Sequence, residues 1–396
     1  MRLPILMMII LILLNIVVDF YLYRVLKTRI KQKAISKIHL WASIVLAIVV
    51  IAVISIPRRS GSDSSLLFVM WSLFAYMSIY VSKYIFVILD GVAKIPHFWF
   101  KNRWKYVSWT GILISVISFV LMWWGALYNR YEIRVNEIDV EISNLPQSFD
   151  GYRIAQISDL HLGTYKEDTT FISTLVDSLN SLDVDAIMFT GDIVNRTTIE
   201  LIPFVNTLSK INVPDGVYSV LGNHDYGDYS DWPSEEAKKE NNRLMRKYQH
   251  DMGWNLLLNE TQYIKRNQDS IAVIGVENLG DPPFKNYGSL KDAYPNLNDS
   301  VVKILLSHNP AHWEREISNH EARNIALTLS GHTHAMQISM FGVSPASLRY
   351  KLWGGLYEDD SKKQKLNVNI GIGTVALPMR IGANPEITVI NLKRQQ

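Results

Sequence analysis

Residues 217–225 read V-Y-S-V-L-G-N-H-D, a β-branched, apolar run that stops at a glycine and releases Asn223, His224 and Asp225 together. Such a run suits a buried strand, and the carboxyl ends of strands are where ligands sit in open α/β sheets. The same grammar recurs four more times. Residues 152–158 run into Asp159-Leu160-His161, and residues 186–190 into Gly191-Asp192. Residues 303–307 run into His308, and residues 325–330 into Gly331-His332-Thr333-His334. Five of the ten histidines fall inside these motifs. The others, His39, His97, His250, His312 and His320, have no partner at ligand spacing and read as structural.

Asp, Asn and His offer hard oxygen and borderline nitrogen donors, a mixture suited to Mn, Fe or Zn rather than to calcium alone. With no cysteine in the chain, a thiolate site is excluded, as is any disulfide. One divalent ion takes about three to five protein ligands. Asp159, His161, Asp192, Asn223, His308, His332 and His334 are too many for one and suit two. A carboxylate such as Asp192 can bridge a pair of ions about 3.5–4 Å apart, which then activate a water and clamp the oxygens of a phosphoryl centre. The chemistry expected is that of a binuclear metal hydrolase.

The elements that must position these groups follow from periodicity. Residues 168–182 and 197–211 have helical apolar spacing, and each follows a ligand-bearing strand. Residues 234–252 predict a charged helix, with Ser234 at its start and Glu235 and Glu236 favourable in its first turn. Residues 131–142 alternate as a strand, and 254–258, 271–276, 337–341, 366–372 and 386–390 predict short strands. Helices between the early strands and a strand-rich end predict two packed sheets flanked by helices.

Ahead of this region the composition changes. Residues 1–129 hold 14 Lys and Arg against 3 Asp and Glu, a net of +11; residues 130–396 hold 26 against 34, a net of −8. Four apolar runs, 3–23, 40–56, 66–89 and 106–128, are each about long enough to cross a bilayer. The domain division expected is therefore a four-helix transmembrane region over 1–129 and a catalytic domain over 130–396. The connections after the first and third runs are rich in Lys and Arg, which places them in the cytoplasm and both termini outside. The expected location is a bacterial inner or plasma membrane, with the catalytic domain extracytoplasmic. Asp19 and Lys83 lie toward the ends of their runs and are expected to snorkel or pair locally. The acidic second part disfavours nucleic acid as a partner, because phosphate-backbone binding depends on clustered cations.

The ordered set Asp159-x-His161, Gly191-Asp192, Gly222-Asn223-His224-Asp225, His308 and Gly331-His332-Thr333-His334 resembles the calcineurin-like metallophosphoesterase superfamily over about 152–390. The resemblance implies an α/β fold, a four-layer α-β-β-α sandwich, here preceded by the all-α transmembrane region. It implies that Asp159, His161, Asp192 and His334 hold one divalent ion and that Asp192, Asn223, His308 and His332 hold the other. It implies that a metal-bridging hydroxide attacks phosphorus, that Asn223 and His224 contact the substrate, and that Asp225 orients the His224 imidazole. The run 371–380, ending in Arg380 and followed by Pro385-Glu386-Ile387, is similar to the bacterial membrane-associated branch, which makes Arg380 a candidate substrate contact.

The function expected is hydrolysis of a phosphodiester or phosphomonoester, with a lipid or cell-envelope compound as the natural pool for a membrane-anchored enzyme. Two other readings compete: a nuclease of the same superfamily, and a membrane-anchored binding scaffold that keeps the fold without catalysis. Residues 347–365, with Tyr350, Trp353, Tyr357 and two glycines, suggest a lid or a lipid-facing lip.

Overall fold

Five short segments carry almost nothing but buried residues on both faces, the pattern of strands covered from both sides. They are β2 (Arg153–Ile157), β3 (Ala186–Phe189), β4 (Val217–Ser219), β8 (Val302–Leu306) and β9 (Ile325–Ser330). In the computed structural model, which describes residues 5–97, 103–280, 285–296, 299–318, 325–361 and 363–395, they form the centres of two sheets.

The first sheet adds β1 (Arg134–Ile142), β5 (Trp254–Leu256) and β12 (Glu386–Arg394) in the order β1-β12-β2-β3-β4-β5, with β2, β3, β4 and β5 parallel. The second adds β6 (Glu260–Arg266), β7 (Asp269–Gly275), β10 (Gly355–Glu358) and β11 (Lys365–Val368) in the order β10-β11-β9-β8-β7-β6. Here β7, β8, β9 and β11 run parallel. Because β2, β3 and β4 are parallel neighbours, as are β8 and β9, their carboxyl ends leave each sheet at a common edge.

Three apolar cores separate four layers. Ile154, Met188, Val220, Ile304 and Leu329 belong to the core between the sheets. On the outer face of the first sheet, Ile157, Ile187 and Val217 meet Phe171, Leu175 and Leu179 of a helix, Thr170–Ser181, and Met245 of another, Glu235–Asp251. On the outer face of the second, Ala272, Ile274 and Leu366 meet Leu290, Trp313 and Ile317. The helix Glu235–Asp251 starts where expected, with the Ser234 hydroxyl accepting the Ala237 N–H at 3.2 Å.

Some segments depart from expectation. Residues 337–341 form no strand of either sheet: Met336, Gln337 and Phe341 take positive φ, and Ile338 bridges to Ile381 alone while Met340 bridges to Val343. Residues 198–208 coil as a 3-10 helix, Thr198–Phe204, before a single α-turn, with Pro203 inside. The stretch 347–365 contains β10 at the sheet edge.

The polypeptide divides into two units, Met1–Leu127 and Tyr128–Gln396. The first contains helices α1 (Ile5–Val25), α2 (Lys33–Ile54), α3 (Asp63–Val92) and α4 (Lys105–Leu127). Among the described residues, α2, α3 and the stretch begun by α4 are long and apolar enough to cross a membrane. Asp19 of α1 and Lys83 of α3 pair with each other at 2.7 Å, across sequence rather than locally, with the Tyr80 hydroxyl donating to the same carboxylate. Asp90 is buried and binds Arg29 at 2.8 Å, Arg103 and Tyr21, tying three helix ends together.

Candidate metal centre

Five of the motif residues leave their strands through unusual backbone. Asp159, Asp192, His332 and His334 follow β2, β3 and β9 with φ of 55°, 60°, 75° and 51°, and His161 has φ 46°. Such conformations cost about 1–3 kcal/mol each and persist only where the surroundings over-determine them. The turns at Gly222 and Gly331 are crowded: a Cβ on Gly222 would strike the Asp192 carboxylate, and one on Gly331 would strike Ser158 and Asp159. Glycine is required there because the loop of one motif passes against the ligand of another.

The side chains converge as two groups. In the first, His334 Nε2 lies 3.0 Å from His161 Nε2 and 3.1 Å from Asp159 Oδ1. In the second, Asn223 Oδ1 lies 3.1 Å from His308 Nε2 and 2.9 Å from His332 Nδ1. Asp192 stands between them, Oδ2 being 3.2 Å from His308 Nε2 and 3.7 Å from His161 Nε2. Asp159, His161 and His334, and likewise Asp192, His308 and His332, hold ligand atoms within 4.8 Å of one another. Two buried atoms in the first group make no hydrogen bond of good geometry: Asp159 Oδ1, which has the His334 imidazole beside it, and His161 Nδ1. Buried polar atoms are normally paired, so these orphans and the all-N/O donor set fit divalent ions.

The electrostatics are polarised. Burial would raise the Asp192 pKa, but His308 and His224 hold it well below the carboxylate range. Asp159 is also lowered, burial being outweighed by His334. Burial opposes a charge on His308, yet Asp192 pushes it up to about 9, while burial and the charge of His308 push His332 down to about 4. His308 Nδ1 faces Thr190 O at 2.7 Å, which directs Nε2 into the centre.

Two residues are placed differently from expectation. Asp225 does not touch the His224 imidazole; its oxygens accept the N–H groups of Asp192, Ile193, Val194 and Gly222 at 2.9, 2.9, 3.2 and 2.9 Å. It clamps the turn that carries Asp192. His224 is oriented instead by Asn195 O, 2.6 Å from Nδ1, and by the Tyr229 ring stacked at 4.4 Å. Arg380 is wholly buried and donates to Gly373 O, Ala383 O and Ile370 O, with Nη2 3.5 Å from His334 Nδ1. Its guanidinium knits the loop behind His334 and presents no donor at the surface.

Sequence reading missed Tyr229, which accepts the Asn223 Nδ2 donor at 3.0 Å and so turns Asn223 Oδ1 toward the histidines. Its signal is weak, a tyrosine four residues past Asp225. His39 sits beside Asp19, and His312 meets Ser307 Oγ at 2.9 Å, away from the centre; His320 lies outside the described residues.

Residues 152–336 match the family described as calcineurin-like phosphoesterase, and residues 1–130 the one described as probable calcineurin-like phosphoesterase, transmembrane domain. The chain is 32% identical over 286 residues to the uncharacterized metallophosphoesterase YkuE of Bacillus subtilis (strain 168), covering 68% of this chain and 90% of that one. It is 28% identical over 291 residues to a transmembrane protein with metallophosphoesterase domain of Danio rerio, covering 72% of this chain but only 62% of that one. Over 327 residues it is 28% identical to the UDP-2,3-diacylglucosamine pyrophosphatase LpxG of Chlamydia muridarum, covering 72% of this chain and 96% of that one. The chain belongs to the calcineurin-like phosphoesterases, divalent-metal hydrolases of phosphoric esters. With its matched transmembrane domain and apolar helices, it is an integral membrane protein.

Proposed function

We propose that residues 1–129 cross the membrane four times and anchor a binuclear phosphoesterase, residues 130–396, that hydrolyses a phosphoester of a lipid or cell-envelope compound. The observation that carries this reading is the position of Asp192, whose Oδ2 is within 3.7 Å of a histidine of each group. Asp159, His161, Asp192 and His334 would hold one ion, and Asp192, Asn223, His308 and His332 the other. Mn, Fe or Zn suits these donors. When bound, such a pair supplies an activated water nucleophile and neutralises phosphoryl oxygens.

The protein's own groups do the rest. With Nδ1–H donated to Asn195 O, His224 presents Nε2 to the phosphate, and as an imidazolium it would give the Nε2 proton to the leaving oxygen, the assistance an alkoxide leaving group needs. Asn223 and His224 are partly exposed and would meet the phosphate. The excess of Lys and Arg in the connections after α1 and α3 favours an extracytoplasmic catalytic unit at a bacterial inner or plasma membrane.

The name of the Chlamydia relative supports a lipid-linked diphosphate as the substrate class. The test is release of phosphate-containing headgroup from acylated nucleoside-diphosphate lipids and from phosphatidic acid by the full chain in detergent. Turnover of either, absent in Asp192→Asn, supports the reading; hydrolysis confined to water-soluble esters would remove the lipid from it.

A further inference from the structure

The segment that follows the last metal motif exposes apolar side chains at its tip. Phe341 is 100% exposed, Leu348 92%, Val343 66% and Met340 52%. Phe341 and Gly342 form a two-residue turn with φ of 53° and 77°, closed by Met340 N–H to Val343 O at 2.9 Å and Val343 N–H to Met340 O at 3.0 Å. A bulky residue at positive φ is strained, so the fold spends free energy to hold a phenylalanine in solvent. Isolated exposed hydrophobics need no explanation, but three on one tight turn, Met340, Phe341 and Val343, mark a contact surface.

The base is rigid. Ser339 N–H donates to Ile381 O at 2.8 Å and Ile381 N–H to Gln337 O at 2.9 Å, while the Gln337 amide donates to Leu377 O and Met379 O at 2.7 and 3.0 Å. This same base receives the start of the unit. Asn129 is buried, its amide donating to Arg380 O at 2.9 Å and accepting from Asn384 Nδ2 at 3.0 Å. Only Tyr128 separates Asn129 from Leu127, the last residue of α4. The apolar tip and Asn129, at the start of the catalytic unit, are thus both held by one stretch of backbone, 377–384.

The tip is also joined to the metal centre at both ends. Met336 lies two residues after His334, and Arg349, exposed beside Leu348, places its guanidinium 5.6 Å from the Tyr350 ring, which meets the His332 ring at 5.8 Å. Apolar side chains bordered by an exposed arginine are the composition of an interfacial anchor, with the cation at headgroup level.

We propose that residues 336–348 form a lip that inserts into a lipid bilayer surface, bringing the metal centre to the level of the lipid headgroups. For its substrate consequence the proposal rests on the phosphoesterase reading: a headgroup phosphoester reaches His332 along the lip without leaving the membrane surface.

The chain has no cysteine, so single sites can be labelled cleanly. Phe341→Cys and Leu348→Cys, and Lys239→Cys on the helix Glu235–Asp251 as reference, are made in the full chain and labelled with nitrobenzoxadiazole. Each is placed in phosphatidylcholine–phosphatidylglycerol nanodiscs with and without doxyl-labelled acyl chains. The proposal predicts blue-shifted emission at 341 and 348 and doxyl quenching severalfold stronger than at 239. Quenching equal to that at 239 overturns it, and so does blue-shifted but unquenched emission, which would put a protein partner on the lip. Hydrolysis of bis-p-nitrophenyl phosphate by the same labelled samples reads the phosphoesterase assignment separately, so either idea can fail alone.

Discussion

Asp192 Oδ2 lies 3.2 Å from His308 Nε2, and each group favours the charged form of the other. The carboxylate holds a proton on the imidazole up to about pH 9, against the cost of burying the charge. A divalent ion needs that nitrogen bare, so loading must expel the proton.

Metal affinity should therefore fall as pH falls below about 9, by up to tenfold (about 1.4 kcal/mol) per pH unit. The sign follows from the raised pKa: lower pH stabilises the protonated, metal-free form. Calorimetric titration in buffers of different ionisation enthalpy reads proton release directly, and pH-independent binding without release would contradict the pairing.

Asp225→Ala should destabilise the catalytic unit by several kcal/mol. It strips the acceptors from four N–H groups, at about 1–3 kcal/mol for each buried donor left bare. A lowered Tm in the metal-free protein is expected. An unchanged Tm with a slower reaction would restore the imidazole-orienting role instead.

Arg380→Met should act on stability as well, because three backbone carbonyls lose their donors. Steady-state kinetics on an aryl phosphodiester should show KM within about twofold of the parent below the lowered Tm, since the guanidinium faces backbone carbonyls and the back of His334 rather than the substrate. A raised KM at unchanged Tm would make the guanidinium a substrate contact.

Tyr229→Phe removes the acceptor that fixes Asn223 while keeping the ring on His224. Loss of an outer partner of a ligand typically costs 10–100-fold in metal affinity or activity, and roughly tenfold weaker binding of the ion on the His308 side is expected. Competition with a chelator measures it, and unaltered affinity would show that the amide needs no such support.

In the membrane unit, Lys83→Met alone should be worse than Lys83→Met with Asp19→Asn. Breaking a buried pair costs about 3–5 kcal/mol because one charge is left unpaired, whereas removing both is far milder. Detergent-solution thermal stability of the two variants checks the order.

The ligand set was legible because each member ends an apolar run, and apolar runs report buried strands. The centres of both sheets were legible for the same reason. What escaped was decided by contacts distant in sequence. β6 (Glu260–Arg266) is an edge strand whose residues are mostly exposed, so it lacks an apolar run to announce it. Residues 337–341 alternate like a strand, but the hydrogen bonds of Gln337 to 375–379 bend them into a turn. The backbone partners of Asp225 and Arg380 were not legible, because a carboxylate facing amides and a guanidinium facing carbonyls look in sequence like groups facing substrate. The Asn195 carbonyl, being backbone, leaves no trace in residue type.

The central claim is a shared carboxylate between two ions, and the most direct test is metal content by plasma emission spectroscopy of the purified full chain and of Asp192→Asn. The account predicts about two ions per parent chain and loss of both together in the variant, with folding retained. One ion per parent chain, or loss of a single ion in the variant, would contradict it.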